Sequence, residues 1–541
     1  MVPQSDSQKV IPLPNSRVKL ITGAEILANV IRPTLGPLGR TVLIESPNNV
    51  PLEALDDGGT IARRIYRIED RNENMGAMLL REALRHQYDQ VGDGTATAAV
   101  IFQGLLRAIR TLLGAGVNPM DLREPIVAAA DQAVALLRDQ AKPLQGQEMI
   151  TRCALAICHD DDMSSLLGEV FYMTGGDGYV RAREWNRRHL DREYFEGCYW
   201  TGSWVSPHMI TDPTKQEVRL ENASVFVTDL HIKEADEILP VMEAALSTGR
   251  ENLFLVVGEI GGQALSVLLS NLQKGTLKSL AVTSDAPYSE AWYLYEDLGY
   301  LTGAHPFLKA AGDLPHRVTT KDLGFARQVW ATQTYFGVIA GGGDPRALRK
   351  HALSLRRRLK AETDREQINL LRKRVGKLLG GVATLFVGAA TETEKKARYE
   401  LAKRTIAALQ QAAESGVLPG GGSSLVHCAK FLRESAHEEG GELGKRVMAQ
   451  ALEEPLRAIA SNAGYNPSWV VTRVQELEPG TGFDVLSGEM VDMWEKGITD
   501  PVKIIESALQ TAARTATLLM TTDVLVHSRT ARMYERKGVK W

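Results

Sequence analysis

Apolar residues recur at helical spacing through both ends of the chain. Side chains three and four positions apart are apolar in residues 18–31, and a broad apolar face follows residue 95, formed by Val100, Ile101, Leu105, Leu106, Ile109, Leu112 and Leu113. Asp500 followed by Pro501 is typical of a helix start with Asp500 as the cap, and we expect that helix to run to about Met520. The pattern predicts that residues 17–140, and the chain after a strand at 382–387, are mainly helical.

The middle of the chain alternates between β-prone and helical runs. We predict strands at 224–227, 253–257 and 279–282, each followed by a helix, at 234–246, 263–272 and near 291–298. Such alternation is typical of an α/β layer domain with a partly parallel sheet. Since the two helical ends match in character, the economical interpretation is one helical domain built from both termini, with other domains inserted into it.

Composition narrows the class of protein. The 541 residues are 44% hydrophobic, enough for several cores, and the formal net charge of −3 excludes a strongly basic nucleic-acid binder. Four cysteines are too few for a disulfide framework in so long a chain. The N-terminus has no secretory pattern, and no apolar run approaches the roughly 20 residues that span a bilayer. We therefore expect a soluble, cytoplasmic protein with no membrane or nucleic-acid partner.

The strongest chemical signal is Gly92-Asp93-Gly94-Thr95, which lies at the start of an apolar helix. Glycine permits a left-handed backbone and close approach of an anion, and the unpaired N–H groups of a helix N-terminus favour a phosphate. Asp93 would repel that phosphate unless a divalent metal lay between them, so the stretch predicts a metal–phosphate site. The alternative is a Gly-Asp-Gly turn in which Thr95 caps a core helix.

Two further stretches each allow two interpretations. The run from Gly416 to Gly422 contains four glycines and is either a flexible linker or backbone that lies flat against a ligand. Cys153, Cys158 and His159 offer three metal ligands at an unusual spacing, and buried packing is the favoured interpretation.

A series of short motifs occurs in order along residues 17–523. They are Thr34-Leu35-Gly36-Pro37, Glu73-Asn74-Met75-Gly76-Ala77, Gly92-Asp93-Gly94-Thr95, Gly116-Val117-Asn118-Pro119-Met120-Asp121-Leu122, Gly380-Gly381-Val382, Val387-Gly388-Ala389-Ala390-Thr391-Glu392, Gly420-Gly421-Gly422 and Asp500-Pro501. Each motif alone is weak, but all of them in this order resemble the group I chaperonins, the GroEL or 60 kDa chaperonin family. Before the triple glycine the pattern is imperfect, with Gln411 and Ser415 in place of the family's alanine and glutamate.

The resemblance implies a multidomain α+β and α/β fold with chaperonin architecture. It implies a helical equatorial domain from residues 1–139 and 416–541, a small intermediate domain from 140–195 and 382–415, and an α/β apical domain from 196–381. It also implies heptameric rings, single or double, in which ATP drives the folding of unfolded or partly folded proteins under a co-chaperonin lid. Rings mixed with an orthodox subunit are a further expectation.

The resemblance also implies a site for ATP and Mg²⁺, with K⁺ as a further candidate ion. Asp93 would hold the magnesium, and Asp57 matches one of the two carboxylates that act on the attacking water. The nucleotide-binding positions, carried over residue by residue, are Thr34, Leu35, Gly36, Pro37, Asp93, Gly94, Thr95, Ala96, Thr97, Gly421, Asp484, Val485 and Asp500.

The departures from the family bear on catalysis. Counted without gaps between the flanking motifs, the second catalytic aspartate of the family is Arg404 here. A guanidinium is always protonated and cannot replace a carboxylate that orients or deprotonates water. Glu400, one helical turn earlier, is a candidate substitute or a partner for Arg404, and the remaining alternative is a register displaced by one turn. In addition, Asp56 replaces a lysine near the phosphates and Ala96 replaces a threonine.

The apical surface of the family presents apolar side chains to unfolded chains and to the lid. The matching positions here are Trp204, Val205, His208, Met209, Leu239, Met242, Leu265, Leu269 and Ser270. Most of them remain apolar, and Met and Trp suit adaptable binding. The alternative is that they form the ordinary core of amphipathic helices.

Two functions are therefore carried forward. The first is an ATP-binding chaperonin subunit that assists protein folding in a ring, with weakened ATP hydrolysis. The second is a chaperonin-derived binding or structural protein without a nucleotide cycle, acting alone or in mixed rings. Whether the chain is an ATPase depends on what Arg404 does.

Overall fold

The computed structural model describes residues 10–45, 53–175, 178–195, 197–212, 216–379, 381–436 and 442–526. The helices are α1 Asn15–Ile31, α2 Gly58–Arg64, α3 Arg71–Val91, α4 Thr95–Gly114, α5 Pro119–Asp139, α6 Gln147–Cys158, α7 Asp161–Thr174, α8 Ala235–Ser247, α9 Gly262–Lys274, α10 Tyr288–Thr302, α11 Pro345–Ala361, α12 Arg365–Leu379, α13 Glu392–Ser415, α14 Ser423–Ser435, α15 Glu442–Leu452, α16 Glu454–Asn462, α17 Pro467–Glu476, α18 Met493–Lys496 and α19 Val502–Met520. The strands are β1 Val10–Ile11, β2 Val42–Ile44, β3 Glu53–Leu55, β4 Tyr179–Glu184, β5 Asp191–Phe195, β6 Cys198–Trp204, β7 Val218–Val227, β8 His231–Ile232, β9 Asn252–Val257, β10 Glu259–Ile260, β11 Lys278–Ser284, β12 Gly324–Ala331, β13 Tyr335–Gly341, β14 Val382–Val387, β15 Val417–Pro419, β16 Thr481–Asp484, β17 Glu489–Asp492, β18 Thr499–Pro501 and β19 Leu525–Val526.

The chain divides into two compact units. Unit 1 consists of Met1–Glu169 and Thr391–Trp541, and unit 2 consists of Val170–Ala390. Unit 1 is therefore built from both ends of the chain and unit 2 from its middle. The finer three-domain boundaries expected above remain a prediction, and Gly380 of the matching motifs lies outside the described residues.

Unit 1 is a helical body around one large core. Helices α1, α3, α4, α5, α14, α15 and α19 contribute to a single cluster of buried apolar side chains. The strands of unit 1 pair two by two, and β1 pairs with β19 in the register Val10↔Val526, so residues near both chain ends meet. Non-local pairing of this kind ties the two chain segments into one unit.

Helix α4 corrects one expectation about apolar runs. Among the described residues, α4 is the helix whose length and apolar composition would allow it to cross a membrane. However, 61% of its most apolar window is buried inside the protein. A helix that is apolar on most sides is also what a large core requires, and α4 takes that position in unit 1.

Unit 2 contains a closed six-stranded barrel, with the strand order β11-β6-β13-β12-β7-β9. Strand β9 pairs in parallel with both β7 and β11, as the alternating pattern predicted, whereas the other pairs are antiparallel. The sheet expected in this α/β layer domain is thus closed into a barrel, because β6 pairs with both β11 and β13. A second, three-stranded sheet has the order β4-β14-β5.

Strand β7 begins six residues earlier than its apolar run predicts. The apolar run at 224–227 is continuous. Residues Val218 to Glu221 instead alternate between buried and exposed side chains, which is the pattern of a strand with one solvent-exposed face. Asn222 between them adopts a positive φ of 49°, which interrupts the regular strand pattern. Strand β14, by contrast, has the predicted bounds, and helix α13 follows it where the chain was predicted to be helical.

The predicted cap at Asp500 is wrong. Pro501 occupies the position before α19 and provides no side-chain cap, while the N–H groups of Val502 and Lys503 donate to the Gly416 carbonyl and to Oγ of Ser415. Asp500 lies instead in β18, where it pairs with Leu418 of β15. The glycine run after α13 is accordingly not a flexible linker, because it contains a buried strand, β15.

Candidate functional site: a cavity at convergent helix N-termini

Unit 1 contains a cavity of about 520 Å³ that is lined from both halves of the chain. The lining includes the proposed catalytic Asp57 and all but one of the predicted nucleotide-binding positions, namely Thr34, Leu35, Gly36, Pro37, Asp93, Gly94, Thr95, Ala96, Thr97, Gly421, Asp484 and Asp500. Val485 is the exception. Its side chain is buried in a separate apolar cluster with Leu456 and Phe483, since alternate residues of an extended segment face opposite ways.

Three long helices begin at this cavity. The residues before α4 and α14 are Gly94 and Gly422, both with left-handed backbone at φ 79° and 80°, and neither helix has a side-chain cap among the described residues. Helix α19 follows Pro501, which also lines the cavity. The first turns of α4 and α14, which lack side-chain caps, and the positive ends of three helix dipoles therefore surround one space, and such an arrangement favours an anion such as phosphate.

The alternative interpretation of the Gly-Asp-Gly segment, in which Thr95 caps the helix, is wrong, and the metal–phosphate site stays a prediction. Gly94, and not Thr95, occupies the cap position of α4. A Cβ on Gly94 would lie 2.6 Å from Cγ2 of Ile504, so only glycine fits both the backbone conformation and the space. Thr95 is buried as the first helical residue.

Two carboxyl groups in the cavity are held towards their protonated forms. Loss of hydration and the neighbouring Asp93 together raise the pKa of Asp500 to about 7, against the opposing effect of a hydrogen bond from the Gly421 N–H. Loss of hydration also raises the pKa of Asp93, although Arg404 and the N–H of Gly94 oppose this. Two close carboxylates that repel each other fit a divalent cation, because Mg²⁺ is held by one or two carboxylates together with phosphate oxygens.

Asp57 has a different environment because it pairs with Arg404. Nη1 of Arg404 lies 3.3 Å from Oδ1 of Asp57, while Oδ2 accepts hydrogen bonds from the backbone N–H and the hydroxyl of Thr60. Burial acts to raise the pKa of Asp57, but the Arg404 charge and the Thr60 hydrogen bonds outweigh it and lower that pKa. A carboxylate in such a state is a poor base.

Arg404 lines the cavity, in agreement with the gapless count along α13. Burial alone would lower its pKa, but the carboxylates of Asp93, Asp57 and Asp56 raise it above the ordinary value. The Nε atom of Arg404 is buried and has no hydrogen-bond partner among the described residues. The guanidinium is therefore a fixed positive charge beside the acidic groups of the cavity.

Glu400 lies outside the cavity lining and does not take the place expected of a substitute carboxylate. Its side chain is exposed, and it forms an ion pair with Lys403, Nζ to Oε1 at 3.1 Å. The expected partner, Arg404, pairs with Asp57 instead. The cause is geometric: on α13 the side chain of Arg404 faces the unit 1 interior, whereas that of Glu400 faces solvent.

Sequence reasoning missed the wall that α6 contributes to the cavity. Arg152, Leu155 and His159 line it, and loss of hydration together with the Arg404 charge lowers the pKa of His159. Cys153 and Cys158 are buried free thiols whose pKa values burial raises to about 12 and about 11, as packing residues rather than metal ligands would have. No local pattern around α6 signals this wall, because it depends on long-range packing.

Most of the chain matches one known protein family. Residues 27–237 and 205–530 match the model of the TCP-1/cpn60 chaperonin family. The chain belongs to the TCP-1/cpn60 chaperonin family. Membership indicates a protein-folding role, with binding of unfolded proteins and assembly into oligomers.

The predicted client-binding positions of this chaperonin are divided between surface and core of unit 2. Leu239 is exposed, at 43%, and His208 and Ser270 are also exposed. Trp204, Val205, Leu265 and Leu269 are half-buried and pack against the unit 2 core. Half-buried apolar side chains keep part of their surface available for contact.

Met209 and Met242 correct the expectation of an apolar surface at these positions. They are 2% and 4% exposed and belong to the unit 2 core. On α8 the buried positions include Ile238, Val241 and Met242, whereas Leu239 lies on the opposite side. The alternative of an ordinary amphipathic core therefore applies to these two methionines.

Proposed function

We propose that this chain is a divergent group I chaperonin subunit that binds ATP with Mg²⁺ and assists protein folding in a ring, with weakened ATP hydrolysis. The observation that carries the proposal is the cavity of unit 1, where three helix N-termini and the Asp93–Asp500 pair meet the Arg404–Asp57 ion pair. The first two features suit a nucleotide triphosphate and its metal. The third feature, the Arg404–Asp57 ion pair, places a fixed positive charge at the position where the family resemblance implies a second carboxylate for hydrolysis.

The assignment of roles follows from the chemistry of each group. Asp93, with Asp500 nearby, would hold magnesium, which when bound neutralises phosphate charge. The first turns of α4 and α14 would donate N–H groups to phosphate oxygens. Asp57 would be the remaining carboxylate able to act on water, but its pairing with Arg404 removes basicity. Binding of ATP thus persists while the proton-transfer step is impaired.

The second candidate function is a chaperonin-derived binding protein without a nucleotide cycle. The same ion pair favours it, because Arg404 occupies one oxygen of Asp57 and Thr60 the other. The two functions differ in a measurable respect: the first requires slow ATP turnover and the second requires none. Heptameric rings, single or double, a co-chaperonin lid, a K⁺ requirement and the cytoplasmic location belong to the first proposal as expectations, whereas action alone or in mixed rings belongs to the second.

Steady-state ATP turnover by the full chain and by Arg404→Asp tests the proposal. We expect very slow turnover in the wild type and a rise of about 10²-fold in the variant, the lower range of what a general base contributes. The matched control is Lys403→Asp, which reverses the charge of the exposed neighbour on α13 and should leave turnover unchanged.

Two outcomes of this experiment distinguish the alternatives, and a mass measurement determines the assembly. Brisk wild-type turnover that Glu400→Gln abolishes would assign the missing carboxylate to Glu400 and refute the present proposal. No turnover in the wild type and in Arg404→Asp, with ATP binding measured by calorimetry in both, would support a binding protein. Native mass measurement, with and without an orthodox group I subunit, determines ring size and mixed assembly.

A further inference from the structure

Unit 2 contains a second, smaller cavity of about 120 Å³, within Val170–Ala390 throughout. It lies between strands β6 and β11 and the helices α10 and α12. Its lining residues are Trp200, Thr201, Ser284, Asp285, Ala286, Pro287, Glu290, Tyr293, Leu294, Asp297, Leu370, Lys373, Arg374 and Lys377. A buried water needs at least ~10–15 Å³ of such space, so the cavity has room for a group with several polar atoms.

Lys377 is the unusual residue of this cavity. It is 8% exposed, and its ammonium has no hydrogen bond or ion pair in the described part of the chain. Its neighbours are the rings of Tyr199 and Trp200, whose centroids lie 5.5 and 5.2 Å from Nζ. A buried ammonium without a counter-ion is costly, since ring faces replace only part of its hydration.

The other buried charges nearby are already paired with each other. Arg374, 4% exposed, donates from Nε and Nη2 to both oxygens of Asp297 and from Nη2 to Glu296, and His351 also contacts Asp297 at 2.9 Å. Asp297 therefore binds Arg374 and His351 and acts on Lys377 only through space, and a metal ion at the Glu296–Asp297–His351 group would have to displace Arg374. Lys377 therefore has no hydrogen-bonded counter-ion in the part of the chain that the structure describes.

The remaining charged groups of the cavity indicate whether the ligand is an anion or a cation. Asp285 is exposed and Glu290 half-buried, so water screens both carboxylates, whereas Lys377 lies at the buried end. Helix α10, fifteen residues long, begins at the cavity after Pro287 without a side-chain cap in the described residues. A buried ammonium and a helix N-terminus both favour a negative group.

We propose that this cavity of unit 2 binds a small oxyanion, of the phosphate or carboxylate class, held by the Lys377 ammonium and the N-terminus of α10. The site is separate from the nucleotide cavity, which lies in unit 1. Burial lowers the pKa of Lys377 to about 7, with Lys373 adding to the effect. A bound oxyanion would reverse this shift, because an opposite charge favours the protonated amine.

Reductive methylation of the full chain at neutral pH, followed by peptide mass mapping, reads this site directly. Without added anion, Lys377 should react faster than the exposed Lys360 of α11, because a larger fraction of its amine is unprotonated. Inorganic phosphate or acetate, in separate arms, should slow the reaction of Lys377 several-fold and leave Lys360 unchanged. Chloride at the same ionic strength should have no effect, and protection by only one arm identifies the class of oxyanion.

Two variants make the outcome decisive. Lys377→Met, which removes the charge and keeps an apolar stem, should lose the part of phosphate binding in calorimetry that comes from this cavity. Glu290→Gln should tighten binding, since it removes a competing carboxylate. If Lys377 does not react with formaldehyde, the proposal is tested by the difference in phosphate binding between wild type and Lys377→Met, measured by calorimetry. Equal phosphate binding by those two proteins, or equal labelling of Lys377 with and without both anions, would overturn the proposal.

Discussion

At the residue scale, two carboxylates of one cavity, Asp57 and Asp500, have pKa values that are shifted in opposite directions. Asp57 has a guanidinium within 3.3 Å and hydrogen-bond donors on its other oxygen, so its pKa is lowered. Asp500 is buried and has Asp93 as its charged neighbour, so loss of hydration and that charge together raise its pKa to about 7. Burial acts to raise the pKa of both groups, and the shifts have opposite signs because only Asp57 has a cation and hydrogen-bond donors that outweigh burial.

The shift at Asp500 predicts a pH dependence of stability. Its pKa in the folded protein exceeds the ordinary value of 3.8, so the folded state binds this proton more tightly than the unfolded chain does. The associated stability is present at low pH and is lost as the pH rises from about 3.8 to about 7. We expect Asp500→Asn to raise the free energy of unfolding at neutral pH by at least ~1 kcal/mol.

Urea unfolding across that pH range measures the effect. The variant should show a shallower loss of stability with rising pH than the wild type. Asp131→Asn on the exposed side of α5 is the control and should follow the wild-type curve. Parallel curves for wild type and Asp500→Asn would show that Asp500 is not the titrating group.

At the element scale, helix α4 has a glycine with left-handed backbone near each end, and the two glycines differ in their surroundings. Gly94 has φ 79° and faces Ile504, whereas Gly116 has φ 89° with no atom within 4 Å of the place that a Cβ would take. An alanine would have similar backbone strain at the two sites. A steric clash would arise only at position 94, where the Cβ meets Ile504. This pair therefore separates conformational strain from packing around the cavity.

Alanine at each of these glycines tests that distinction. Gly116→Ala should cost ~1–2 kcal/mol of stability from the left-handed backbone alone. Gly94→Ala should cost a further ~1–3 kcal/mol because its Cβ overlaps Ile504, and it should also weaken binding of Mg·ATP. Thermal unfolding and calorimetry provide the two readouts. Equal losses of stability and of affinity in both variants would contradict a special role for the Gly94 turn.

At the scale of the whole molecule, unit 1 unites residues that are far apart in sequence. Residues 34–37, 93–97, 421–422, 484, 486 and 496–501 line one cavity because the N- and C-terminal segments share one core. The pairing of Arg17 with Asp523, at 2.7 Å, adds to the same closure. A ligand in this cavity should therefore stabilise both ends of the chain together.

Hydrogen exchange of the full chain with saturating Mg·ATP checks this expectation. At a hundredfold excess over the dissociation constant, binding stabilises a unit by about 2.7 kcal/mol. We expect slower exchange in the first turns of α4, α14 and α19, at both chain ends of unit 1. Inorganic phosphate at the same concentration should slow hydrogen exchange only weakly in the first turns of these three helices. It should also slow exchange at the start of α10 in unit 2. Protection confined to one chain end would contradict a shared cavity.

Much of the local structure follows from short patterns. The bounds of α13 and β14, the start of α5 at Asn118 and the glycine turn before α4 come from residues within a few positions of each other. The boundaries of β7 and the cap of α19 do not, because Val218 and Asp500 depend on strands that pair with them from elsewhere. Pairing across long separations overrides local preference.

The sequence by itself determined that Gly92-Asp93-Gly94 is a turn suited to an anion and that position 404 carries a permanent positive charge. Both properties are local, since backbone freedom and side-chain chemistry belong to the residues themselves. Tertiary structure alone decided that Arg404 pairs with Asp57, that Glu400 faces solvent, that Met209 and Met242 are core residues, and that Lys377 is buried with no ion-pair partner among the described residues. Charges interact through space, so their partners depend on how distant segments pack.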